Sequence, residues 1–220
     1  MNNKDQKQLN LIYEEKTARP YYFGKEYDRV HWLDFLKWDF PNYTVNPDGS
    51  LNLVGNISIS EPIPFIINKI KGNVTYIYEK GLYKPNESLK GAPKDIDGNF
   101  TCQFYGVRSL KQGPVKITGD FSVWGNRFSD LQGSPLEIGK NFDVSMNKRL
   151  KTLEGGPEIV RGNYVCGGCP GLTSLKGAPD HIGGKFINDN FTDEDYREYI
   201  KDLHKYDKLK SKHKELEGIF

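Results

Sequence analysis

The chain has 220 residues, 36% of them hydrophobic, with 31 Lys and Arg against 29 Asp and Glu for a net charge of +2. Its mean hydropathy is −0.66 and its pI about 8.2. With 12 Phe, 13 Tyr and 3 Trp it is too aromatic for a disordered chain, it has no apolar run of bilayer length, and its charge balance argues against a strongly basic nucleic-acid binder.

The first residues, Met1 to Gln8, form no apolar core of a secretory leader, and three cysteines do not make a disulfide scaffold. A reducing, cytoplasmic setting is the expectation. Residues 25–40, with Val30, Trp32, Leu33, Phe35, Leu36 and Phe40 before Pro41, predict an apolar N-terminal helix.

A repeat dominates the second half of the chain. Leu89, Leu110, Leu131, Leu153 and Leu175 are spaced by 21, 21, 22 and 22 residues. Four positions after each stands Pro93, Pro114, Pro135, Pro157 or Pro179, and seven after stands Ile96, Ile117, Ile138, Val160 or Ile182. Then come Gly98, Gly119, Gly162 and Gly184, with Gly139 one place early in the third unit, and the aromatics Phe100, Phe121, Phe142, Tyr164 and Phe186. Two residues further on are Cys102, Val123, Val144, Cys166 and Asn188. Phe121 and Val123, with Ser122 between them, alternate as a half-buried strand does. A strand so short buries nothing alone, whereas stacked copies bury a continuous column. The Gly is expected to allow a bend into the strand, and the Pro to lie outside the hydrogen-bond ladder. Gly55–Ile59 and Gly72–Tyr76 copy the core of the repeat, so seven rungs are expected, with Glu79–Ser88 as an insertion between two of them.

After the last repeat, Thr192 and Asp195 form a capping-box-like pair. Tyr196, Tyr199, Ile200 and Leu203 come next on one helical face, and a charged tail begins at Lys205.

Phe121-x-Val123-x-x-Asn126-x-Phe128-x-x-Leu131 resembles the core of a leucine-rich repeat, and Phe142-Asp143-Val144-Ser145-Met146-Asn147 repeats it. The fuller form L-x-G-x-P-x-x-I-x-G-x-F-x-V/C, and the wording Thr173-Ser174-Leu175-Lys176-Gly177-Ala178-Pro179, resemble a group of bacteriophage repeat proteins. The resemblance implies a leucine-rich-repeat-like β-solenoid with short parallel strands on its concave face. It divides the chain into an N-terminal helical cap (1–48), the solenoid (49–190) and a C-terminal helical cap with its tail (191–220). Tyr105 and Cys169 depart from the pattern, standing where Asn126 and Asn147 stand in their units.

The chemistry-bearing residues mostly dissolve into the repeat. Cys166 and Cys169 have redox or zinc spacing, but Cys166 occupies a core slot and Cys169 a ladder-Asn slot, and no second ligand pair accompanies them. His31, His181, His204 and His213 are scattered. Asp193-Glu194-Asp195 lacks the ligand alternation of a calcium loop and suits the first turn of a helix. Gly183-Gly184-Lys185 lacks the Ser or Thr of a phosphate loop. The tail lysines alternate with Asp202, Asp207, Glu215 and Glu217. Neither catalytic residues, nor a metal, nor a cofactor are therefore assigned.

What remains is the outward face of the strands: Gln103, Phe104, Ser122, Trp124, Asp143, Ser145, Met146, Val165 and Ile187, with Thr101 beside them. Phe104, Trp124 and Met146 are expected on successive rungs, an apolar stripe of the kind that meets a partner. The expected function is non-enzymatic binding of a protein, with no membrane role. Given the resemblance, the chain would be a phage-encoded inhibitor or modulator of a host protein, such as one of antiviral defence. The alternatives are a nucleotide or nucleic-acid binder and a structural component of a virion.

Overall fold

Two residues of extended chain, one side chain in and one out, gain stability only from copies stacked above and below. The computed structural model describes residues 21–22, 25–26, 36, 39–59, 63, 66–76, 89–104 and 106–217 and shows that stacking. Strands β1 (Tyr21–Tyr22) and β2 (Lys25–Glu26) form an antiparallel pair of their own. An eight-stranded sheet contains β3 (Thr44–Val45), β4 (Leu51–Val54), β6 (Ile67–Lys71), β8 (Asp95–Asp97), β10 (Lys116–Ile117), β12 (Glu137–Ile138), β14 (Ile159–Val160) and β16 (His181–Ile182). A seven-stranded sheet contains β5 (Ile57–Ile59), β7 (Val74–Tyr76), β9 (Phe100–Cys102), β11 (Phe121–Ser122), β13 (Phe142–Asp143), β15 (Tyr164–Val165) and β17 (Phe186–Ile187). Apart from β3 on β4, every pairing in these two sheets is parallel. Strands of successive repeats lie side by side, consistent with a solenoid-like fold.

The register is the repeat itself. Val74, Phe100, Phe121, Phe142, Tyr164 and Phe186 are successive partners across the seven-stranded sheet. The rings of Phe100, Phe121, Phe142, Tyr164 and Phe186 succeed one another at 5.1, 5.6, 4.9 and 5.5 Å, all buried. Tyr76 extends the column at one end and Tyr196 at the other, with ring centres 5.6 and 5.3 Å from their neighbours'. Each such contact contributes on the order of 1 kcal/mol beyond the area it buries.

One strand per repeat was expected, and there are two. The short segments containing Ile96, Ile117, Ile138, Val160 and Ile182 form the second sheet rather than an unpaired return. Coil spacing set by the aromatic column brings these backbones to pairing distance as well; the Gly139 N–H donates to the Ile117 carbonyl at 3.1 Å. A pair of residues is too short to show alternation, so the pattern leaves it unread.

The repeated Gly serves proximity rather than bending. A Cβ on Gly119 would fall 2.5 Å from the Gly98 carbonyl oxygen of the preceding coil, and one on Gly139 would strike the Thr118 carbonyl. Left-handed backbone is required elsewhere, two residues after each repeat Leu. Gly91, Gly133, Gly155 and Gly177 have φ of 89°, 93°, 78° and 81° there, and Gln112 stands in the same place at 67°.

Two ladders join the coils. Asn126 is buried, donates through Nδ2 to the carbonyls of Val123 and Cys102 at 2.9 and 2.7 Å, and accepts the Val107 N–H at 3.1 Å. The second was not foreseen: the side-chain oxygens of Asn56, Asn73, Asn99, Asp120, Asn141 and Asn163 accept the N–H of Asn73, Asn99, Asp120, Asn141, Asn163 and Lys185, at 2.7 to 3.0 Å. Its signal is the polar residue just before each strand aromatic.

At the C-terminal end, helix α1 (Asp193–Glu217) begins with the reciprocal bonds of Thr192 and Asp195 and buries Tyr196 and Ile200. The tail continues as helix to Glu217, with residues 204–211 exposed. The helix expected over 25–40 lies mostly outside the described residues; Lys25–Glu26 within it is strand, whereas Leu36 and Phe40 are buried and joined by a helical Phe40 N–H to Leu36 carbonyl bond. The expected insertion Glu79–Ser88 lies outside the described residues.

This backbone makes two substitutions informative. Gln112→Gly relieves a left-handed non-glycine backbone, so urea unfolding should show a gain of about 1 kcal/mol. Asp193 accepts the Phe186 N–H and pairs with Arg197, which holds its carboxyl below the usual carboxylate range. A lowered native pKa contributes stability above the unfolded value, lost as the pH falls through the native one. Below about pH 4 the wild type should lose stability more steeply than Asp193→Asn in urea unfolding monitored by circular dichroism.

Candidate functional site

The outward residues of the seven-stranded sheet form rows set by the strand register. Thr101, Ser122, Asp143, Val165 and Ile187 are partners in one row. Gln103, Trp124 and Ser145 occupy the next position along, where Gln103 donates to the Ser122 hydroxyl at 3.1 Å and the Ser145 hydroxyl and N–H both donate to Asp143. None of these residues is buried, and Phe104, Met146 and Ile187 are exposed large apolar residues, at 58%, 45% and 44%.

The expected stripe of Phe104, Trp124 and Met146 is two rows rather than one. The Phe104 N–H bonds to the Trp124 carbonyl, the Gly125 N–H to the Ser145 carbonyl and the Met146 N–H to the Gly167 carbonyl, so the row of Phe104 runs through Gly125 to Met146 and Gly168. All four of its residues are left-handed, with φ of 51°, 71°, 56° and 67°. Strand alternation ends at this turn, which is why counting by twos misplaces Trp124. Phe104 lies over Gly125, where an added Cβ would come within 2.5 Å of the ring, and Met146 lies over Gly168. The Phe104 and Trp124 rings meet edge to face at 4.2 Å. A bulky side chain over a glycine, twice, makes a surface of ridges and clefts beside a row of hydroxyl and carboxylate groups.

The outer side of the eight-stranded sheet differs in kind. Lys69 pairs with Asp95 at 3.2 Å and Arg161 with Glu137 at 2.6 Å, and Thr118 donates to Asp97. Its charges answer one another. Val115 and Leu136 stand exposed beside a small cavity of about 390 Å³ that Arg161 also lines.

The cysteine pair is part of the core. Cys102, Cys166 and Cys169 are free and buried, and burial pushes all three thiols up, away from the reactive thiolate. The Cys169 thiol donates to the Val144 carbonyl at 3.5 Å, as Asn147 does to the Val123 carbonyl at 3.2 Å, which is the ladder role. Asn188 donates to the Cys166 carbonyl at 2.9 Å. Among the described residues no three His, Cys, Asp or Glu side chains gather as a metal site. His181 and His204, distant in sequence, line one cavity of about 790 Å³ beside α1, together with Lys201, Lys205 and Lys208. Sequence reading missed this cavity, because it forms where the helix returns across the last coil. No helix among the described residues is long and apolar enough to cross a membrane.

No protein-family model, curated protein or solved structure matches the chain.

Cys169→Ala should cost about 1 kcal/mol by removing the buried thiol and its bond to the Val144 carbonyl, which keeps only the Asn147 amide at 2.8 Å. Cys169→Asn, with a full amide at a slot where two coils already carry one, should restore or exceed wild-type stability in the same urea titration.

Proposed function

We propose that this chain is a non-enzymatic, leucine-rich-repeat-like binding module that docks a protein on the outward face of its seven-stranded sheet. One observation carries the reading. In the left-handed row, two coils use glycine, whereas the other two place Phe104 and Met146 there, both exposed. A large apolar residue at such a position costs backbone energy, on the order of 1 kcal/mol, and exposes apolar surface as well. Folding alone would favour glycine at all four, so the two side chains answer to something outside the chain. Trp124, edge-on to Phe104, adds the residue type that most often carries interface energy. Gln103, Ser122, Asp143 and Ser145 supply the polar surround, and Val165 and Ile187 extend the apolar part towards the last coil. The resemblance to bacteriophage repeat proteins points to a host protein in the bacterial cytoplasm as the partner, held so that its own activity is modulated or blocked.

The test uses the purified chain as bait in bacterial lysate, with calorimetry on the protein it retains. Wild type and the control Lys116→Ala on the opposite sheet should bind one protein alike. Trp124→Ala and Met146→Gly should weaken that binding at least about 10-fold. Met146→Gly should meanwhile match or exceed wild-type stability, by up to about 1 kcal/mol. Equal capture by all four proteins would reject the face. A marked destabilisation of Met146→Gly would make Met146 a packing residue and remove the argument. Recovery of nucleic acid, released at high salt, would move the function to the charged helix.

A further inference from the structure

The eight-stranded sheet ends at β16, and no strand among the described residues pairs with its far side. Helix α1 closes the other sheet, where Tyr196 stacks on Phe186, and the approximately 790 Å³ cavity lies between α1 and β16. Two features of that cleft define what fits it.

The first is a row of acceptors. In each coil of this sheet a carbonyl receives an N–H from the next coil: Ile96 from Thr118 at 3.1 Å, Ile117 from Gly139 at 3.1 Å, Ile138 from Arg161 at 3.0 Å and Val160 from Gly183 at 2.8 Å. The next carbonyl in the series belongs to Ile182, and among the described residues no further coil stands beyond it. Glu158 likewise receives the His181 N–H at 3.2 Å, and its successor is Asp180. The Gly184 carbonyl is already taken by the Arg197 guanidinium at 2.9 Å. Among the described residues no donor reaches the carbonyls of Asp180 and Ile182, while the Tyr196 hydroxyl donates to the Pro179 carbonyl beside them at 2.9 Å and lies against the Ile182 backbone.

The second feature is charge. Lys201, Lys205 and Lys208 recur on one face of α1, line the cleft and form no ion pair among the described residues. Asp180 is the sole acidic side chain lining it among the described residues, over a floor that includes the buried Ile182 and Ile200.

We propose that this cleft accepts an extended acidic peptide segment, added to β16 as a further strand. Its N–H groups would meet the carbonyls of Asp180 and Ile182, its carboxylates the three lysines, and an apolar side chain the floor. Phosphate or nucleic acid would answer the lysines but offers no row of N–H donors to the edge, so the carbonyls favour a peptide. The site is independent of the sheet face built on Trp124.

Fluorescence anisotropy with a fluorescein-labelled heptapeptide of alternating Glu and Val tests this. Saturable binding is expected, weakening with salt. It should fall at least about 10-fold for a Gln-for-Glu copy, for a copy N-methylated on alternate backbone nitrogens, and for the protein variant Lys201→Glu/Lys205→Glu/Lys208→Glu. Trp124→Ala should bind as wild type does. Absence of saturable binding, equal binding of the N-methylated copy, loss of binding in Trp124→Ala, or tighter binding of a labelled oligothymidylate would each overturn the proposal. The N-methylated copy tests the strand edge on the unaltered protein, so the outcome does not depend on the triple variant folding.

Discussion

Parallel pairing in register, coil upon coil, is the constraint on which the other features depend. It places each residue directly on its counterpart one repeat away, at a strand spacing of about 4.8 Å. Aromatic rings tolerate that distance, and the buried column runs from Tyr76 to Tyr196 with centres 4.9 to 5.6 Å apart. Amides tolerate it too, since an Asn side chain can bond the next copy's backbone, and the ladder from Asn56 to Asn163 does so. Like charges do not: Lys69, Asp95, Lys116 and Glu137 alternate in sign down one column of the eight-stranded sheet. The close coil spacing also excludes a Cβ at Gly98, Gly119 and Gly184.

Such a stack has to be stopped at each end, and the two sheets stop differently. At the start, β3 runs antiparallel to β4 and turns the edge of the eight-stranded sheet back on itself. At the end, Tyr196 supplies the last ring of the column in place of another strand, and Asp193 accepts the Phe186 N–H. This closes the seven-stranded sheet and leaves the backbone of β16 beside a basic helix face.

The two outer faces differ in the side chains they expose. On the eight-stranded sheet, Lys69 pairs with Asp95 and Arg161 with Glu137, and Val115 and Leu136 stand exposed near them. On the seven-stranded sheet, Phe104 and Met146 stand exposed at a left-handed turn position where glycine would be easier. In this row the exceptions to glycine are Phe104 and Met146, on the same face and in alternate coils.

The amino-acid sequence alone determined the coil: a 21 to 22 residue period, Phe100 to Phe186 as one buried column, Cys166 in the core and Cys169 in a ladder slot, and a C-terminal helix started by Thr192 and Asp195. These were legible because each is a matter of identical residue types at fixed spacing, or of contacts within one turn. Only the tertiary structure decided that Lys116–Ile117 and its counterparts form a second sheet, that Phe104 shares its row with Gly125 rather than Trp124, and that His181 and His204 border one cleft. Two-residue strands carry no periodicity, a left-handed turn breaks the count by twos, and a cleft between the last coil and a returning helix depends on where distant segments meet. Those three facts exist only once the coils are stacked.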